Sequence, residues 1–214
     1  MKVIQPQVYI ESDISEKDAI MLIERAGRVC YKSENKIKRD SAETFIRGIL
    51  KRGHESVIEH VSVTVRVICD RGVSHEIVRH RIASYSQEST RYCNYADDKF
   101  GNEITVIEPC FFDSHSNEFD ECYKYSIWYE ACKYAEDCYN NLISRGASPQ
   151  EARSILPNSL KTEMFVTMNL REWRHFFKLR CSPAAHPQMR QIANMILNQF
   201  KQEFPLFVED IGNV

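Results

Sequence analysis

An alternating run of valines is the strongest constraint that this sequence places on its fold. Val61, Val63, Val65 and Val67 alternate with polar or basic residues. This period of two is typical of a strand that is buried on one face. The segments on both sides repeat their apolar residues at helical spacing instead, and they form no regular βαβ units. We therefore predict the α+β class, with a central, mostly antiparallel sheet flanked by helices.

Capping and stop signals predict the helices. Ser15 and Asp18 form a capping box before a first helix, and Asp40 with Glu43 is expected to cap a second, which should end at Gly53. One long helix is predicted over 118–145. Its predicted core face consists of Phe119, Tyr123, Ile127, Ala131, Tyr134, Cys138 and Leu142.

Shorter signals complete the prediction. We expect a loop over 79–92, and no repeat or low-complexity tract interrupts the chain. The length of 214 residues and the hydrophobic fraction of 43% suit one domain or two small ones, and we predict a single domain over residues 1–214. Further helices are predicted over 70–80, 148–157, 171–180 and 187–204, and further strands over 104–107 and 164–170.

Charge and the pattern of glycines narrow the class of function. A net charge of −2 argues against a long basic groove for nucleic acid. We find neither a signal peptide nor an apolar stretch of membrane-spanning length, so we expect a cytoplasmic protein. All seven glycines stand alone, and the chain has neither GxGxxG nor GxxxxGK. A phosphate would therefore need side-chain donors, and arginine is the most suitable because its planar fork binds two oxygens.

Neither the cysteines nor the histidines match a common metal motif. The eight cysteines contain no CxxC pair, and we interpret them as reduced thiols that pack as small hydrophobic groups. HESVIEH places His54 and His60 six residues apart, which differs from the HExxH spacing of zinc proteases. We therefore predict no metal site. We expect His60 at the edge of the core and His54 in a position to meet a ligand.

The segment RHRIASYSQESTRY, residues 79–92, concentrates arginines and hydroxyls. Basic side chains at this density repel one another unless an anion binds between them, so the segment suggests an anion-binding site. A second arginine-rich helix, with Arg171, Arg174 and Arg180, also carries Trp173 and His175. A single-stranded RNA-binding module that uses the basic loop from Arg79 to Arg91 is the alternative interpretation, because arginine and aromatic side chains make such platforms.

The same segment resembles the RHR-x7-S signature of the flavin-dependent thymidylate synthases. GHESVIEH, EARSILP, TMNLREW and FKLR resemble further segments of that family, in the expected order along most of the chain. The resemblance implies homotetramers with inter-subunit active sites and FAD bound without a Rossmann domain. It also implies methylation of dUMP to dTMP, with methylenetetrahydrofolate as carbon donor and NADPH as reductant; the reduced flavin supplies the hydride.

The resemblance assigns roles residue by residue. Arg180 is expected to be catalytic, because its guanidinium stabilises negative charge on the uracil ring. The expected substrate-binding residues are Glu76, Arg79, Gln87, Glu88, Ser89, Thr90, Arg91, Arg153 and Arg180. The expected FAD-binding residues are His54, Ser56, Arg79, His80, Arg81, Gln87, Asn169, Arg171 and His175.

Two positions depart from the family pattern. Glu76 stands where glutamine is known in the family, and Gln87 where we expect glutamate, so the two positions have in effect exchanged a charge. The CSPAAHP stretch after Arg180 is longer than in some relatives, which leaves His186 without an assigned role. We expect Ser89 to hydrogen-bond dUMP rather than attack it, since the neighbouring residues include no evident base for a serine nucleophile.

Overall fold

The computed structural model describes residues 1–112 and 119–212, and it confirms the α+β class. The strands are β1 (Lys2–Ile4), β2 (Gln7–Ile10), β3 (Ser62–Asp70), β4 (Ser84–Gln87), β5 (Thr105–Ile107) and β6 (Lys161–Asn169). The helices are α1 (Glu16–Val29), α2 (Ser41–Lys51), α3 (Arg71–Ile77), α4 (Phe119–Ser144), α5 (Pro149–Ala152), α6 (Leu170–Arg180) and α7 (Pro187–Glu203). Short 3₁₀ helices cover Glu34–Lys36, Glu55–His60, Asp98–Phe100, Arg153–Ile155 and Pro205–Phe207.

Four strands form an antiparallel sheet in the order β2-β3-β6-β4. β1 and β5 form a separate parallel pair, in which Val3 is opposite Val106. The predicted central strand is confirmed, since Val63, Val65 and Val67 of β3 are fully buried. The alternating valines therefore lie on the face of β3 that packs against the core, as a period of two requires.

Backbone contacts divide the chain into two compact units. Unit 1 comprises Met1–Gln7, Val67–Arg79 and Ser86–Met164. Unit 2 comprises Val8–Arg66, His80–Tyr85 and Phe165–Val214. The single functional domain over residues 1–214 stays a prediction. In the described part of the chain, no helix is both long and apolar enough to cross a membrane.

The core of unit 1 gathers around the side of α4 that carries Cys132 and Tyr139, both buried. Glu136 lies between them and accepts a hydrogen bond from the backbone N–H of Ile104 at 3.0 Å. This stripe follows helical spacing but contains a carboxylate. Apolar periodicity therefore does not detect it, because a buried charge that is fully hydrogen-bonded takes one of the core positions.

The predicted core face of α4 is wrong at several positions. Tyr123, Ile127 and Tyr134 are 56%, 55% and 72% exposed, and Ala131 is exposed as well. Leu142, by contrast, packs against the core of unit 1, and Cys138 is half-buried. The predicted start at Glu118 and the side chain of Phe119 lie outside the described residues.

Aromatic side chains fill the core of unit 2. Trp173, Phe176 and Phe177 of α6 pack against one another, and Phe200 of α7 contacts Trp173 at a ring-centroid distance of 5.4 Å. The indole N–H of Trp173 donates to the carbonyl of Val63 at 2.9 Å. This packing fixes the rotation of α6 and therefore decides which of its polar residues face away from the core.

Two local predictions fail for identifiable reasons. The polar sequence SYSQ predicts a loop, but these residues form β4, an edge strand, which needs few apolar residues. Asp40 precedes α2, yet its side chain makes no capping hydrogen bond. At α1, the predicted cap is confirmed, since Ser15 Oγ accepts from the backbone N–H of Asp18 at 3.1 Å.

Candidate functional site

The start of α6 places polar residues of unit 2 on one face. Asn169 ends β6 and caps α6, because its Oδ1 accepts from the backbone N–H of Glu172 at 2.9 Å. Glu172, Phe176 and Arg180 follow at intervals of four residues, which brings them to the same side of the helix. The cap uses Oδ1, so the amide nitrogen is the atom that Asn169 can offer to a ligand.

His80 joins this face and links two of its charged residues. Its Nδ1 lies 3.1 Å from Glu172 Oε1, and Arg180 Nε lies 3.1 Å from its Nε2. The ring also lies against Phe176, with centroids 5.0 Å apart, and His175 is 5.7 Å away. We call His80, Glu172, His175 and Arg180 the histidine cluster.

The contact with Arg180 determines which nitrogen of His80 carries the proton. A guanidinium has only donors, so Nε2 must be the acceptor and Nδ1 must bear the hydrogen that Glu172 accepts. Burial lowers the pKa of His80, and the charge of Arg180 lowers it further, although Glu172 acts in the opposite direction. The imidazole is therefore neutral at neutral pH, as this hydrogen-bonding arrangement requires.

A cavity of about 500 Å³ in unit 2 opens beside this cluster. Two of its cationic side chains are paired with carboxylates: Arg171 contacts Glu59 at 2.5 Å, and Lys178 lies 3.5 Å from Glu55. Ile82, which is 69% exposed, gives the wall an apolar element. The lining residues are Glu55, Glu59, Ile82, Asn169, Arg171, Glu172, His175 and Lys178.

His54 and Ser56 line a different cavity of unit 2, of about 810 Å³. Arg28, Lys36 and Arg52 line it as well, and the guanidinium of Arg28 stacks on the ring of Phe45 at 4.6 Å. His54 is exposed just before the 3₁₀ helix Glu55–His60. The residues expected to bind FAD are therefore distributed over more than one cavity of the subunit.

In unit 1, the end of β4 is held by a network of hydroxyl groups. Gln87 Nε2 donates to Ser74 Oγ at 3.0 Å and to Thr162 Oγ1 at 3.1 Å. Ser74 Oγ in turn donates to the carbonyl of Arg71 at 2.8 Å. Since both amide hydrogens of Gln87 are used, its Oε1 is the atom that this side chain can offer to a ligand.

Glu88 directs its carboxylate to neighbours within unit 1. Lys161 Nζ lies 2.7 Å from Oε2, and the hydroxyl of Tyr95 donates to Oε1 at 2.9 Å. Burial raises the pKa of Tyr95, and the carboxylate of Glu88 raises it further. The backbone N–H of Glu88 donates to the carbonyl of Glu163 at 2.8 Å. These contacts fix the start of the segment Glu88–Arg91. We call Ser74, Gln87, Glu88, Lys161 and Thr162 the hydroxyl-amide cluster.

A further cavity of unit 1, of about 450 Å³, combines Thr90 and Arg153 with Arg71 and His75. Arg153 Nη1 donates to Thr90 Oγ1 at 3.4 Å. Ser89 Oγ accepts from the backbone N–H of Arg91 at 3.3 Å. Two guanidinium groups with a hydroxyl between α3 and the 3₁₀ helix Arg153–Ile155 can bind an anion such as a phosphate.

The remaining predicted residues lie at the surface or beside these cavities. Arg79 and Arg81 are exposed, and the backbone N–H of Arg79 donates to the carbonyl of Glu76 at 3.2 Å. Glu76 is partly buried on α3. The guanidinium of Arg91 lies over the ring of Tyr92 at 5.4 Å, and both residues are exposed. His60, expected at the edge of the core, is exposed.

Distance alone allows one metal-binding group among the described residues. Ligand atoms of His80, Glu172 and His175 all lie within 4.8 Å of one another. Arg180 donates to Nε2 of His80, which places a positive charge beside the same ring. This charge opposes a cation there, and the cluster is better described as a hydrogen-bonded chain.

Arg174 has a structural role that differs from its expected place in an anion site. It is 2% exposed and forms a double contact with Asp210, at 2.6 and 2.7 Å, and it donates to the carbonyl of Phe207. Its guanidinium holds the pKa of Asp210 below the usual range. Arg174 Nε also donates to Glu55 Oε1 at 3.1 Å, so Arg174 ties α6 to the end of the chain and holds a carboxylate of the 500 Å³ cavity without lining that cavity itself.

Some residues of these clusters were missed by the sequence analysis. Glu172, Lys178 and Lys161 belong to no predicted role, although Glu172 lies within the quoted TMNLREW segment. Glu55 and Glu59 lie within GHESVIEH and likewise have no predicted role. Contacts such as that of His80 with Glu172, 92 residues apart, have no local signal in the sequence.

The family model described as thymidylate synthase complementing protein matches residues 14–206. The chain belongs to this family. The resemblance to the flavin-dependent thymidylate synthases is thereby confirmed, and with it the prediction that the chain is an enzyme. A flavin-dependent thymidylate synthase of Geobacter sulfurreducens is 34% identical over 194 residues, which is 87% of this chain and 79% of the relative. The Pyrococcus furiosus relative of the same name is 35% identical, over 83% of this chain and 70% of its own length.

A solved structure shares the fold of this thymidylate synthase family member. It is the UMP/dUMP methylase PolB from Streptomyces cacaoi, bound with 5-Br dUMP. It has a TM-score of 0.79 and 21% identity, and the match covers 100% of this chain and 99% of the other. At this identity, the likeness supports the fold of the family and leaves the roles of individual residues to the geometry above.

The donor set of the 500 Å³ cavity fits a flavin cofactor, which the names of the family members imply. Arg171 and Lys178 offer charge to phosphate oxygens, and Asn169 and His175 offer hydrogen-bonding groups to a ring system. The exposed Ile82 suits an apolar ring face. The carboxylates of Glu55 and Glu59 compete for the same cations, so an anionic ligand would have to replace those ion pairs.

Proposed function

We propose that this chain converts dUMP to dTMP by reductive methylation, with methylenetetrahydrofolate as carbon donor, NADPH as reductant and FAD as redox cofactor. The observation that carries the proposal is the cavity of Arg71, Thr90 and Arg153 beside the segment Glu88–Arg91. Two guanidinium groups and a hydroxyl suit a nucleotide monophosphate. Relatives named flavin-dependent thymidylate synthases and a neighbour named UMP/dUMP methylase support the same substrate class.

In this proposal, Arg153 and Arg91 bind the phosphate of dUMP, and Ser89, Thr90 and the loop amides complete its hydrogen bonds. Gln87 Oε1 accepts from a donor of the nucleotide or the cofactor, since its amide hydrogens are held by Ser74 and Thr162. Glu88 acts mainly through Lys161 and Tyr95, which hold the loop in place. Glu76 and Arg79 contact the nucleotide from the end of α3.

Arg180 is the catalytic residue of the proposal. Its guanidinium meets a carbonyl and the ring imide of uracil, and it stabilises the negative charge that develops on the ring. Carbon five then becomes more nucleophilic towards the donated methylene. His80 holds Arg180 Nε, so the terminal nitrogens of the guanidinium can present their hydrogens in a fixed plane.

The flavin site of the proposal comprises Asn169, Arg171 and His175 of the 500 Å³ cavity, with His54, Ser56 and the RHR segment. When bound, the flavin supplies the redox chemistry that protein side chains cannot provide. Arg79, His80 and Arg81 contact it, and Arg171 releases Glu59 to bind a phosphate. Each step that we assign to the protein is one of binding, orientation or charge stabilisation.

The proposal includes a cytoplasmic homotetramer whose neighbouring subunits complete each active site. Its support is the apolar face of α4, where Tyr123, Ile127 and Tyr134 are all more than half exposed. These residues repeat at helical spacing and lie away from the core of unit 1, so a second copy of the chain can cover them. The whole chain, residues 1–214, then acts as one functional domain.

The first test is the spectrum of the purified protein, followed by an assay of dUMP-dependent NADPH oxidation and dTMP formation. We expect a yellow protein with the two visible bands of oxidised flavin. Arg153→Ala should raise the KM for dUMP about tenfold or more, because a charged hydrogen bond to the phosphate is lost. Arg145→Ala changes an exposed arginine of unit 1 beyond α4 and serves as the matched control.

The alternative of a single-stranded RNA-binding module gives the opposite result. Such a protein would be colourless, would carry nucleic acid that absorbs ultraviolet light, and would form no dTMP. Arg91→Ala, which removes a charge of the basic loop, would then weaken RNA binding. Either the missing flavin bands or the missing dTMP would contradict the proposed function.

A further inference from the structure

A carboxylate of unit 2 lies directly behind the imidazole that supports Arg180. Glu172 Oε1 accepts from His80 Nδ1 at 3.1 Å, and His80 Nε2 accepts from Arg180 Nε at 3.1 Å. The side chains of His80 and Glu172 are 2% and 12% exposed. We infer that Glu172 is a positioning residue, which acts through His80 to hold the guanidinium of Arg180 in one orientation. The inference rests on the catalytic role proposed for Arg180.

The direction of each hydrogen bond gives Glu172 its role. Arg180 cannot accept, so the chain works only when His80 Nε2 is unprotonated. Glu172 selects this tautomer, because its carboxylate accepts the hydrogen on Nδ1. The contact with His80 holds Nε, which lies in the plane of the guanidinium, so it fixes the plane in which the two terminal nitrogens present their hydrogens.

Without Glu172, the same ring would lose its preferred tautomer. A buried N–H at Nδ1 would lack this acceptor, and the alternative tautomer would place an N–H against Arg180 Nε. The position of the ring does not depend on Glu172 alone. Phe176 packs against it at 5.0 Å, and the hydroxyl of Tyr85 donates to the carbonyl of His80. The expected effect is therefore on the orientation of Arg180, with the fold maintained.

The pH dependence follows from the groups around His80. Glu172, His175 and Arg180 face the ring, and Tyr85 lies at its backbone carbonyl. Protonation of Nε2 breaks the contact with Arg180, so kcat should fall on the acid side as His80 gains a proton. Glu172 favours the protonated ring, whereas burial and Arg180 disfavour it. Removal of the Glu172 charge should therefore move the acid limb of kcat to lower pH.

Three variants of the holoenzyme test this inference. Glu172→Ala should lower kcat about tenfold, the effect of one hydrogen bond to a charged group, with the KM for dUMP and the flavin content unchanged. Glu172→Gln should retain most of kcat, because its amide carbonyl can accept from Nδ1, and its acid limb should shift to lower pH. Glu11→Gln breaks an ion pair with Arg66 at 2.6 Å, away from the cluster, and is the matched control.

Nitrogen-15 NMR of the histidine side chains provides a readout that needs no turnover. His80 should have a protonated Nδ1 and an unprotonated Nε2, and Glu172→Ala should convert this signal to a mixture of tautomers. A protonated Nε2 in the unchanged protein would overturn the inference, as would wild-type kcat in Glu172→Ala. A loss of kcat that only parallels a loss of flavin would assign Glu172 to the flavin cavity that it lines, and not to the orientation of Arg180. If no variant forms dTMP, the proposed function fails, and the NMR result still decides the tautomer.

Discussion

The hydroxyl-amide cluster of unit 1 and the 500 Å³ cavity of unit 2 hold their polar groups in different ways. In unit 1, Gln87 and Glu88 are tied to hydroxyl and ammonium groups of neighbouring elements. In unit 2, Arg171 and Lys178 line an open cavity and pair with carboxylates of its wall. The first arrangement is preorganised for a small ligand, whereas the second must exchange ion pairs for a ligand.

The two sites therefore differ in the main cost of ligand binding, which is a small loss of side-chain entropy in one and broken ion pairs in the other. A ligand of the hydroxyl-amide cluster gains from groups already held in place, so little side-chain entropy is lost on binding. A ligand of the 500 Å³ cavity must compete with Glu55 and Glu59 for its cations. Exposed ion pairs of this kind contribute little to stability, so their replacement by a phosphate is feasible. The histidine cluster combines both features, since Arg180 is oriented by the buried His80, whereas Glu172 and His175 line the open cavity.

The largest expected effect concerns Arg180, which tests whether orientation matters more than charge. Arg180→Lys keeps the positive charge but loses the planar fork and the contact of Nε with His80 Nε2. We expect turnover to fall about a hundredfold, with flavin content near normal, since a preorganised donor to the reacting ring is lost. Steady-state kinetics and the flavin spectrum measure the two quantities.

Arg47→Lys is the control for this substitution. Arg47 is an exposed arginine of unit 2 that pairs with Glu43 and Glu209 on the surface. It should retain turnover, because exposed pairs contribute little. Wild-type turnover in Arg180→Lys would remove Arg180 from the chemistry and would reduce the histidine cluster to a structural feature.

The next largest effect is expected when assembly is disrupted, because neighbouring subunits would complete the open cavities of unit 2. We expect a homotetramer that loses FAD when it is forced apart. The double variant Ile127→Asp with Tyr134→Asp puts charge on the exposed apolar face of α4, where burial by a second copy would be costly. Light scattering should report smaller species, and the flavin bands should be lost with them. Ile127→Val keeps the face apolar and should stay assembled, whereas a monomer with stoichiometric FAD would defeat the prediction.

The sequence predicts the fold where one physical signal decides it. The valines of β3 and the Ser15 cap of α1 are correct, because alternation and capping are local. The core face of α4 is wrong, because Glu136 takes a buried position that apolar periodicity assigns to the surface. β4 is missed because an edge strand can be polar.

In the candidate site as well, local motifs indicate residues that lie together, whereas contacts between distant parts of the chain are missed. The motifs pointed to His80, Asn169, His175 and Arg180, and the structure brings these residues to one face of unit 2. The sequence did not indicate Glu172 as their partner, because the contact closes a span of 92 residues. The sequence groups Arg174 with the anion-binding arginines, yet its guanidinium donates two hydrogen bonds to the carboxylate of Asp210. Charge alone does not distinguish a structural arginine from a binding one; burial and partners do.

A third prediction concerns the exchanged charge at Glu76 and Gln87 of unit 1. Gln87 donates to Ser74 on α3, and Glu76 is on the same helix two residues later. Glu76→Gln and Gln87→Glu should each weaken dUMP binding, and the double variant should recover part of the loss. We expect a coupling free energy of about 0.5 to 3 kcal/mol in a double-mutant cycle on dUMP affinity. Additive effects would show that the two positions act independently.

Ser89 should give a smaller effect, which tests the preorganised loop directly. Its Oγ accepts from the backbone N–H of Arg91 at 3.3 Å, so Ser89→Ala loses one neutral hydrogen bond in the segment. We expect the KM for dUMP to rise about fivefold, with measurable dTMP formation retained. Ser86→Ala, on the exposed part of β4, is the control. Complete loss of activity with dUMP still bound would instead indicate a serine nucleophile.

The smallest expected effect comes from substitution of the cysteines. A thiol must become a thiolate before it can attack uracil, and burial opposes this ionisation. All eight are reduced thiols outside disulfides, and burial raises the pKa of Cys69, Cys93 and Cys132. Burial also raises the pKa of Cys181, which directly follows Arg180, to about 11, so this thiol is protonated at neutral pH. Replacing each cysteine singly by alanine should leave flavin-dependent turnover within about twofold, with thermal unfolding measured to separate lost stability from lost chemistry. A covalent adduct of protein and uracil, detected by mass spectrometry and abolished by one of these variants, would overturn the assignment of activation to Arg180.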